Sequence, residues 1–257
     1  MVIIDNTICY GKNELLPFDD IDIQKGAILL VDKPLRWTSF DVVNKIKYEI
    51  RNRTGCKKFK IGHAGTLDPL ASGLLVICIG KYTKQISEIQ QQKKEYEGTF
   101  TLGATTASHD LEKIPENFKP YNHITKEDIL SAVNKFIGTF QQLPPIFSAV
   151  RIDGKRAFEY ARKDTEVVIQ SKKITVHSFD ITRIELPEID FNITCSKGTY
   201  IRSIARDLGD ILDCGAYLSR LRRTKIGDFS VENALNMTPF ITPQKINKPN
   251  RKKRDFE

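Results

Sequence analysis

The chain has 257 residues, 40% of them hydrophobic, which suffices to bury a sizeable core in one large domain, or in one domain with a small appendage. Forty Lys and Arg against 32 Asp and Glu give a net charge of +8, which points toward a polyanionic partner. No apolar run approaches a bilayer span, the amino end lacks a charged-then-apolar leader pattern, and Cys9, Cys56, Cys78, Cys195 and Cys214 form no CxxC pair; the reading is a cytoplasmic protein with reduced thiols and no metal site.

Residues 1–24 show little periodicity and read as an extension ahead of the fold, which is expected over 25–240. Ala27-Ile28-Leu29-Leu30-Val31 reads as a buried strand stopped by Asp32-Lys33-Pro34. After Trp37, the segment Thr38-Ser39-Phe40-Asp41 has the form of a capping box, and Val42, Val43, Ile46 and Ile50 then share one helical face. Leu74 to Ile79 is a short apolar run bounded by glycines, hence a buried strand. A helix is expected over Lys81 to Gln92 with Ile86 and Ile89 inward, followed by a strand from Lys94 to Leu102. Gly103 to Pro120 is polar and rich in turn formers. Thr125-Lys126-Glu127-Asp128 opens a second capped helix, with Ile129, Val133, Phe136 and Ile137 on one side and Gly138 as its terminator. Strands are expected around Glu166 to Ile169, Lys173 to Ile184 and Ile189 to Cys195, a β-rich region of antiparallel hairpins. Gly198 then gives way to a helix beginning near Thr199 that buries Ile201, Ile204, Ala205 and Leu208. From Lys245 onward six basic residues face two acidic ones, so the tail, 241–257, is expected to be basic and without fixed structure.

The chain is organised around Gly62-His63-Ala64-Gly65-Thr66-Leu67-Asp68-Pro69-Leu70-Ala71-Ser72-Gly73. Glycines at 62, 65 and 73 permit tight bends and close backbone approach, and they crowd one carboxylate, Asp68, against the rigid strand that follows. Read from spacing alone, Asp68-Pro69 is first of all a helix opening, with Asp68 as N-cap and Pro69 at the first helical position, and His63 is a loop or packing histidine. Tyr96 within Lys94-Glu95-Tyr96-Glu97-Gly98 reads as a cross-strand aromatic. Tyr200 and Arg202 read as a packed tyrosine and a surface arginine at a helix start, and the charges around 151–163 as a solvated face.

This glycine-rich string closely resembles the catalytic motif of the tRNA pseudouridine-55 synthases of the TruB type. Leu30-Val31-Asp32-Lys33-Pro34 with Trp37-Thr38-Ser39 resembles their opening motif. Lys197-Gly198-Thr199-Tyr200-Ile201-Arg202 and Cys214-Gly215-Ala216-Tyr217-Leu218-Ser219-Arg220-Leu221-Arg222-Arg223-Thr224 are similar to two further family motifs, in the expected order. The resemblance implies an α/β (α+β) pseudouridine synthase fold, with a mixed, largely antiparallel sheet flanked by helices. It also implies that 141–167 is an insertion gripping the RNA T-loop, where Arg151, Lys155, Arg156, Arg162 and Lys163 meet phosphates.

By the same resemblance Asp68 is the catalytic group, salt-bridged to Arg202; Tyr96 stacks on the target uracil; Tyr200 is the proton acceptor beside the base; Leu221 lines the uracil pocket; and His63 fills the place of the everted base. Arg220, Arg222 and Arg223 would add positive potential near the RNA. A guanidinium fork suits this duty because it orients a carboxylate and favours its charged form, which lysine does poorly. The reaction breaks the N1 glycosidic bond and joins C1′ to C5 without net redox change or added group, so no cofactor is implied. The implied partner is tRNA, bound by a monomer with no obligate protein partner and no membrane. The departures are Ala107, in Thr105-Thr106-Ala107-Ser108-His109-Asp110, where the family usually carries an acid, and a stretch after Thr238 too short for the RNA-binding PUA domain common in the family. The alternative is a noncatalytic RNA-binding or tRNA-folding protein of the same fold.

Overall fold

The computed structural model describes residues 2–4, 7–10, 23, 25–148, 150–152, 154–161, 165 and 167–237. Within the stretch read as an extension, Val2–Ile4 (β1) and Thr7–Tyr10 (β2) form an antiparallel pair. β2 joins the edge of Ala27–Lys33 (β3) in parallel, through Cys9↔Ile28 and Tyr10↔Leu29. Strands of three and four residues are too short to show an alternating pattern, which is why the sequence hides them, and they cover backbone groups that β3 would otherwise leave open at an edge.

Helix Ser39–Thr54 (α1) follows. Thr38 accepts from the Asp41 amide while the Asp41 carboxylate accepts from Thr38, and Gly55 closes the far end in the left-handed conformation. Ile61–His63 (β4) leads through the glycine-rich loop to Ala71–Ile79 (β5). The continuous apolar character of β3 and β5 now has a cause: each is buried on both faces. Leu29, Val31, Leu75 and Ile77 pack beneath α1 with Val42, Ile46 and Ile50. Ile28, Leu30, Leu74, Val76 and Cys78 face the other way, onto Ile226, Phe229 and Ala234.

The helix expected over Lys81 to Gln92 is split into a 3-10 turn, Gly80–Gln85, and a short helix, Ile86–Gln91 (α2). Lys94–Leu102 (β6), Lys126–Asn134 (α3, with the expected box of Thr125 and Asp128) and Gly138–Gln142 (β7) come next. α3 ends before Gly138, and Ile137 is exposed at 48%. A separate hairpin pairs Arg151–Ile152 (β8) with Lys155–Arg156 (β9) ahead of Ala157–Ala161 (α4). Residues 167–169 lie in no strand, contrary to expectation, and Glu166 is outside the described residues. Lys172–Glu185 (β10), Glu188–Cys195 (β11), Ile201–Ile211 (α5), Ala216–Ile226 (β12), Phe229–Ser230 (β13) and Leu235–Asn236 (β14) complete the described chain.

The sheet runs β1-β2-β3-β5-β12-β6-β11-β10-β7 and is antiparallel except at β2/β3, β14/β3 and the central β5/β12 pair. One half is an aromatic core. Phe100 stacks on Phe191 with centroids 4.1 Å apart, and Phe179 meets both rings edge-on under the cover of α3 and α5. Gly98 lies beneath Phe191, whose ring a Cβ at that position would approach to 2.6 Å.

Candidate active site

The site forms where β12 is inserted between β5 and β6. Register does the placing: Leu221 pairs with Ala71 on one side and Gly98 on the other, and Arg223 pairs with Gly73 and Tyr96. Since alternate residues of a strand share a face, Leu221, Arg223 and Tyr96 open onto the same cavity. Gly73, at φ 102, is required here, because a Cβ would come within 2.3 Å of the Arg223 carbonyl oxygen.

The loop before β5 carries Asp68. No helix follows Pro69; the Ala71 amide instead donates to the Asp68 carbonyl at 3.1 Å and the chain enters β5. The loop is tied down from outside. The Ser39 hydroxyl, in the first turn of α1, donates to the Leu67 carbonyl at 3.1 Å and accepts from its amide at 2.9 Å, and the Arg36 amide donates to the Pro69 carbonyl at 2.7 Å. Gly65 takes a positive φ of 108, as does Gly73, whereas Gly62 does not.

Arg202, at the start of α5, is buried and holds two carboxylates. Its Nη2 lies 2.8 Å from Asp68 Oδ2, its Nε lies 3.6 Å from Asp110 Oδ2, and Nη1 donates to the Ser108 carbonyl at 3.4 Å. A guanidinium at a helix N-terminus opposes the helix dipole, and the two carboxylates, supplied from other elements, offset that cost. Asp68 is half exposed toward the cavity, whereas Asp110 is buried. The loop that lacks an acid at 107 therefore still delivers one from 110. Ala107 itself points outward, exposed, while Thr106 and Ser108 hydroxyls donate to the Asp110 carbonyl and fix the loop.

Tyr200 caps α5, and its backbone is held at both ends by the buried Gln142 side chain from the end of β7, which donates to the Tyr200 carbonyl at 3.1 Å and accepts from its amide at 2.8 Å. Burial pushes the phenols of Tyr96 and Tyr200 above their ordinary values, so both are neutral hydroxyls at pH 7. The cavity, about 360 Å³, is lined by Asp68, Tyr96, Tyr200, Arg202, Leu221 and Arg223, and reaches on to Lys94 and Lys197.

His63 stands on β4 rather than on the cavity lining, opposite Ile77, and burial lowers its pKa. The backbones of Arg151, Lys155 and Arg156 belong to the β8–β9 hairpin; their side chains, and all of Arg162, Lys163 and the tail, lie outside the described residues. Of the three arginines expected to face RNA, only Arg220 is well exposed. Arg222 forms a two-pronged pair with Asp32 at 2.9 and 2.7 Å, and Arg223 is buried.

Lys33, Ser39, Asp110 and Arg223 are site residues that spacing did not single out. Lys33 is fully buried, donating to the Pro34 and Trp37 carbonyls; burial brings its pKa down to about 8, with Asp68 acting in the opposite sense. Their only signal in the sequence was membership of the quoted motifs.

Comparison with known proteins identifies the family. The model of the TruB family pseudouridylate synthase N-terminal domain matches residues 51–201, and that of the tRNA pseudouridylate synthase B C-terminal domain matches 202–251. The tRNA pseudouridine synthase B of Flavobacterium johnsoniae is 57% identical over 217 residues, covering 84% of this chain and 95% of the relative. That of Phocaeicola vulgatus is 49% identical over 220 residues, covering 86% and 94%. Among solved structures, a Cbf5-Nop10-Gar1 complex contains a chain that aligns with TM-score 0.63 and 27% identity over 85% of this chain; this chain spans 54% of that one. Family models over most of the sequence and a relative matched nearly end to end lead to one conclusion: the chain belongs to the TruB family of pseudouridylate synthases.

Proposed function

We propose that this protein converts uridine to pseudouridine at position 55 in the T-loop of tRNA, with Asp68 as the catalytic group. The observation that carries the reading is the 2.8 Å ion pair between Arg202 and Asp68 at a cavity that Tyr96, Tyr200 and Leu221 also line. An everted uracil entering there meets a phenol face at Tyr96, an apolar side chain at Leu221 and a carboxylate whose direction the guanidinium fixes. The carboxylate serves the reaction either by covalent addition or by taking a ribose proton, and the enclosure holds the detached uracil while it turns.

The C5 proton must leave once C5 has bonded to C1′. In this reading Tyr200, a neutral hydroxyl, accepts it at the phenol oxygen while its own proton passes to solvent, and N1, released from C1′, takes up a proton from solvent, so that substrate and product remain isomers. His63, a flat ring just before the Asp68 loop, takes the stacking place that the base vacates, offsetting part of an unstacking cost of a few kcal/mol. Arg151, Lys155 and Arg156, on a hairpin apart from the main sheet, contact T-loop phosphates. The protein works as a monomer in the cytoplasm, and among the described residues no helix is long and apolar enough to cross a membrane.

The test is incubation of purified protein with an unmodified tRNA transcript and mapping of pseudouridine, beside Asp68→Asn. Product at position 55 from the wild type, falling by roughly a thousandfold or more in the variant, is expected. Equal product from both removes Asp68 from the chemistry, and tRNA binding without product from either favours the noncatalytic alternative.

A further inference from the structure

Arg223 is 1% exposed, and among the described residues no carboxylate pairs with it. Its donors are taken by main-chain carbonyls instead: Nε to Leu74 at 2.8 Å, Nη1 to Thr66 at 3.3 Å and Nη2 to Gly65 at 3.1 Å. Those three acceptors lie on both sides of Asp68 in the chain. The same guanidinium lies against the phenol of Tyr96, its cross-strand partner. A buried cation held by carbonyls and a phenol rather than by a carboxylate is a costly arrangement, and an apolar side chain of similar volume would close the sheet at this point more cheaply. The neighbouring Arg222, on the opposite face of the same strand, has the ordinary solution, a paired carboxylate at the surface.

We propose that Arg223 is a positioning residue for the reaction: one guanidinium joins the loop before and after Asp68 to the ring of Tyr96, fixing the carboxylate and the stacking ring at a set separation across β12. A guanidinium, with donors on three nitrogens in one rigid plane, can do this from a single side chain, whereas a lysine ammonium, with a single nitrogen, reaches fewer of the same acceptors. The inference rests on the isomerase reading above.

The experiment compares single-turnover pseudouridine formation, equilibrium tRNA affinity and thermal unfolding for the wild type, Arg223→Gln, Arg223→Lys and, as a control at an ion-paired arginine of β10, Arg183→Gln. Arg223→Gln is expected to lose about a hundredfold in turnover per folded molecule while tRNA affinity stays within threefold, a split that general destabilisation does not give. Arg223→Lys should recover part of that loss near pH 7 and lose it again as pH rises, because a lysine buried there titrates early and adds an alkaline limb to whatever fall the wild type already owes to Lys33 and Lys94, which titrate at about 8. Arg183→Gln should remain near wild-type turnover. Should Arg223→Gln fail to fold, the pH profile of Arg223→Lys decides alone. Turnover that follows only the folded fraction, or equal rates for the Gln and Lys variants with no added alkaline limb, overturns the proposal. Absence of product from the wild type sinks the isomerase reading itself, and is told apart by occurring before any substitution is made.

Discussion

The two halves of the sheet are filled by opposite chemistry. Under α3 and α5, the strands β6, β10 and β11 bury Phe100, Phe136, Phe179, Phe191 and aliphatic neighbours, an interior made of apolar area and ring contacts. Where β12 meets β5, the buried groups are Lys33, Asp110, Arg202 and Arg223, the cations satisfied by carbonyls or carboxylates and Asp110 by the Arg202 guanidinium and the Glu112 amide. The aromatic half derives its stability from area removed from water, which tolerates small shifts in position. The polar half depends on donor and acceptor geometry, which does not. α5 joins the two: Ile204, Ala205 and Leu208 anchor it in the aromatic core while Arg202, at its first turn, reaches into the polar one. Rigid packing on one side thus aims the guanidinium on the other.

The sharpest way to break this division is Arg202→Met. It leaves Asp110 buried without its partner, so a loss of about 3–5 kcal/mol in urea unfolding is expected together with near-complete loss of pseudouridine formation. Phe191→Ala should cost a similar amount, about 3–5 kcal/mol, by opening a cavity between Phe100 and Gly98. Its turnover per folded molecule should stay within a few-fold of wild type, and a collapse of turnover would show that the two halves are not separable.

A smaller effect follows from the buried lysines. Lys33 and Lys94 both have folded-state pKa values lowered to about 8, by burial in each case. Between pH 8 and 9 the unfolded chain holds more protons than the folded one, so stability rises with pH, by on the order of 1 kcal/mol per lysine. Above pH 9 the raised pKa of Cys195, pushed up to about 11 by burial, acts in the opposite sense. Urea midpoints at pH 8 and 9 check the rise, and Lys33→Met should remove about half of it. The smallest and most discriminating pair is Thr38→Ala against Thr125→Ala. Each removes one capping box at about 1 kcal/mol. Only Thr38→Ala should also slow turnover, because the first turn of α1 carries the Ser39 hydroxyl that grips Leu67.

Much of this was legible in one dimension. The apolar runs of β3 and β5, the capping boxes at Thr38 and Thr125, the strand from Lys94 to Leu102 and the amphipathic face of α5 depend on neighbours a few residues away, so local pattern determines them. Asp68, Tyr96, Tyr200, Arg202 and Leu221 were named through motif resemblance, and the fold brings all five to one cavity. Spacing favoured a helix opening at Asp68-Pro69 and left a surface arginine at 202 as an even alternative; at both positions tertiary partners overrode local propensity.

What the chain could not disclose by itself is which of its many cations are buried. Arg220, Arg222 and Arg223 are adjacent and chemically alike, yet one is exposed, one is paired at the surface and one is enclosed. Strand alternation separates Arg223 from the other two, but the fate of each was settled by the register of β12 between two strands distant in sequence. Hydrophobic pattern records which residues avoid water; it carries no record of which carbonyls will stand ready to receive a charge, and that is decided only when the strands align.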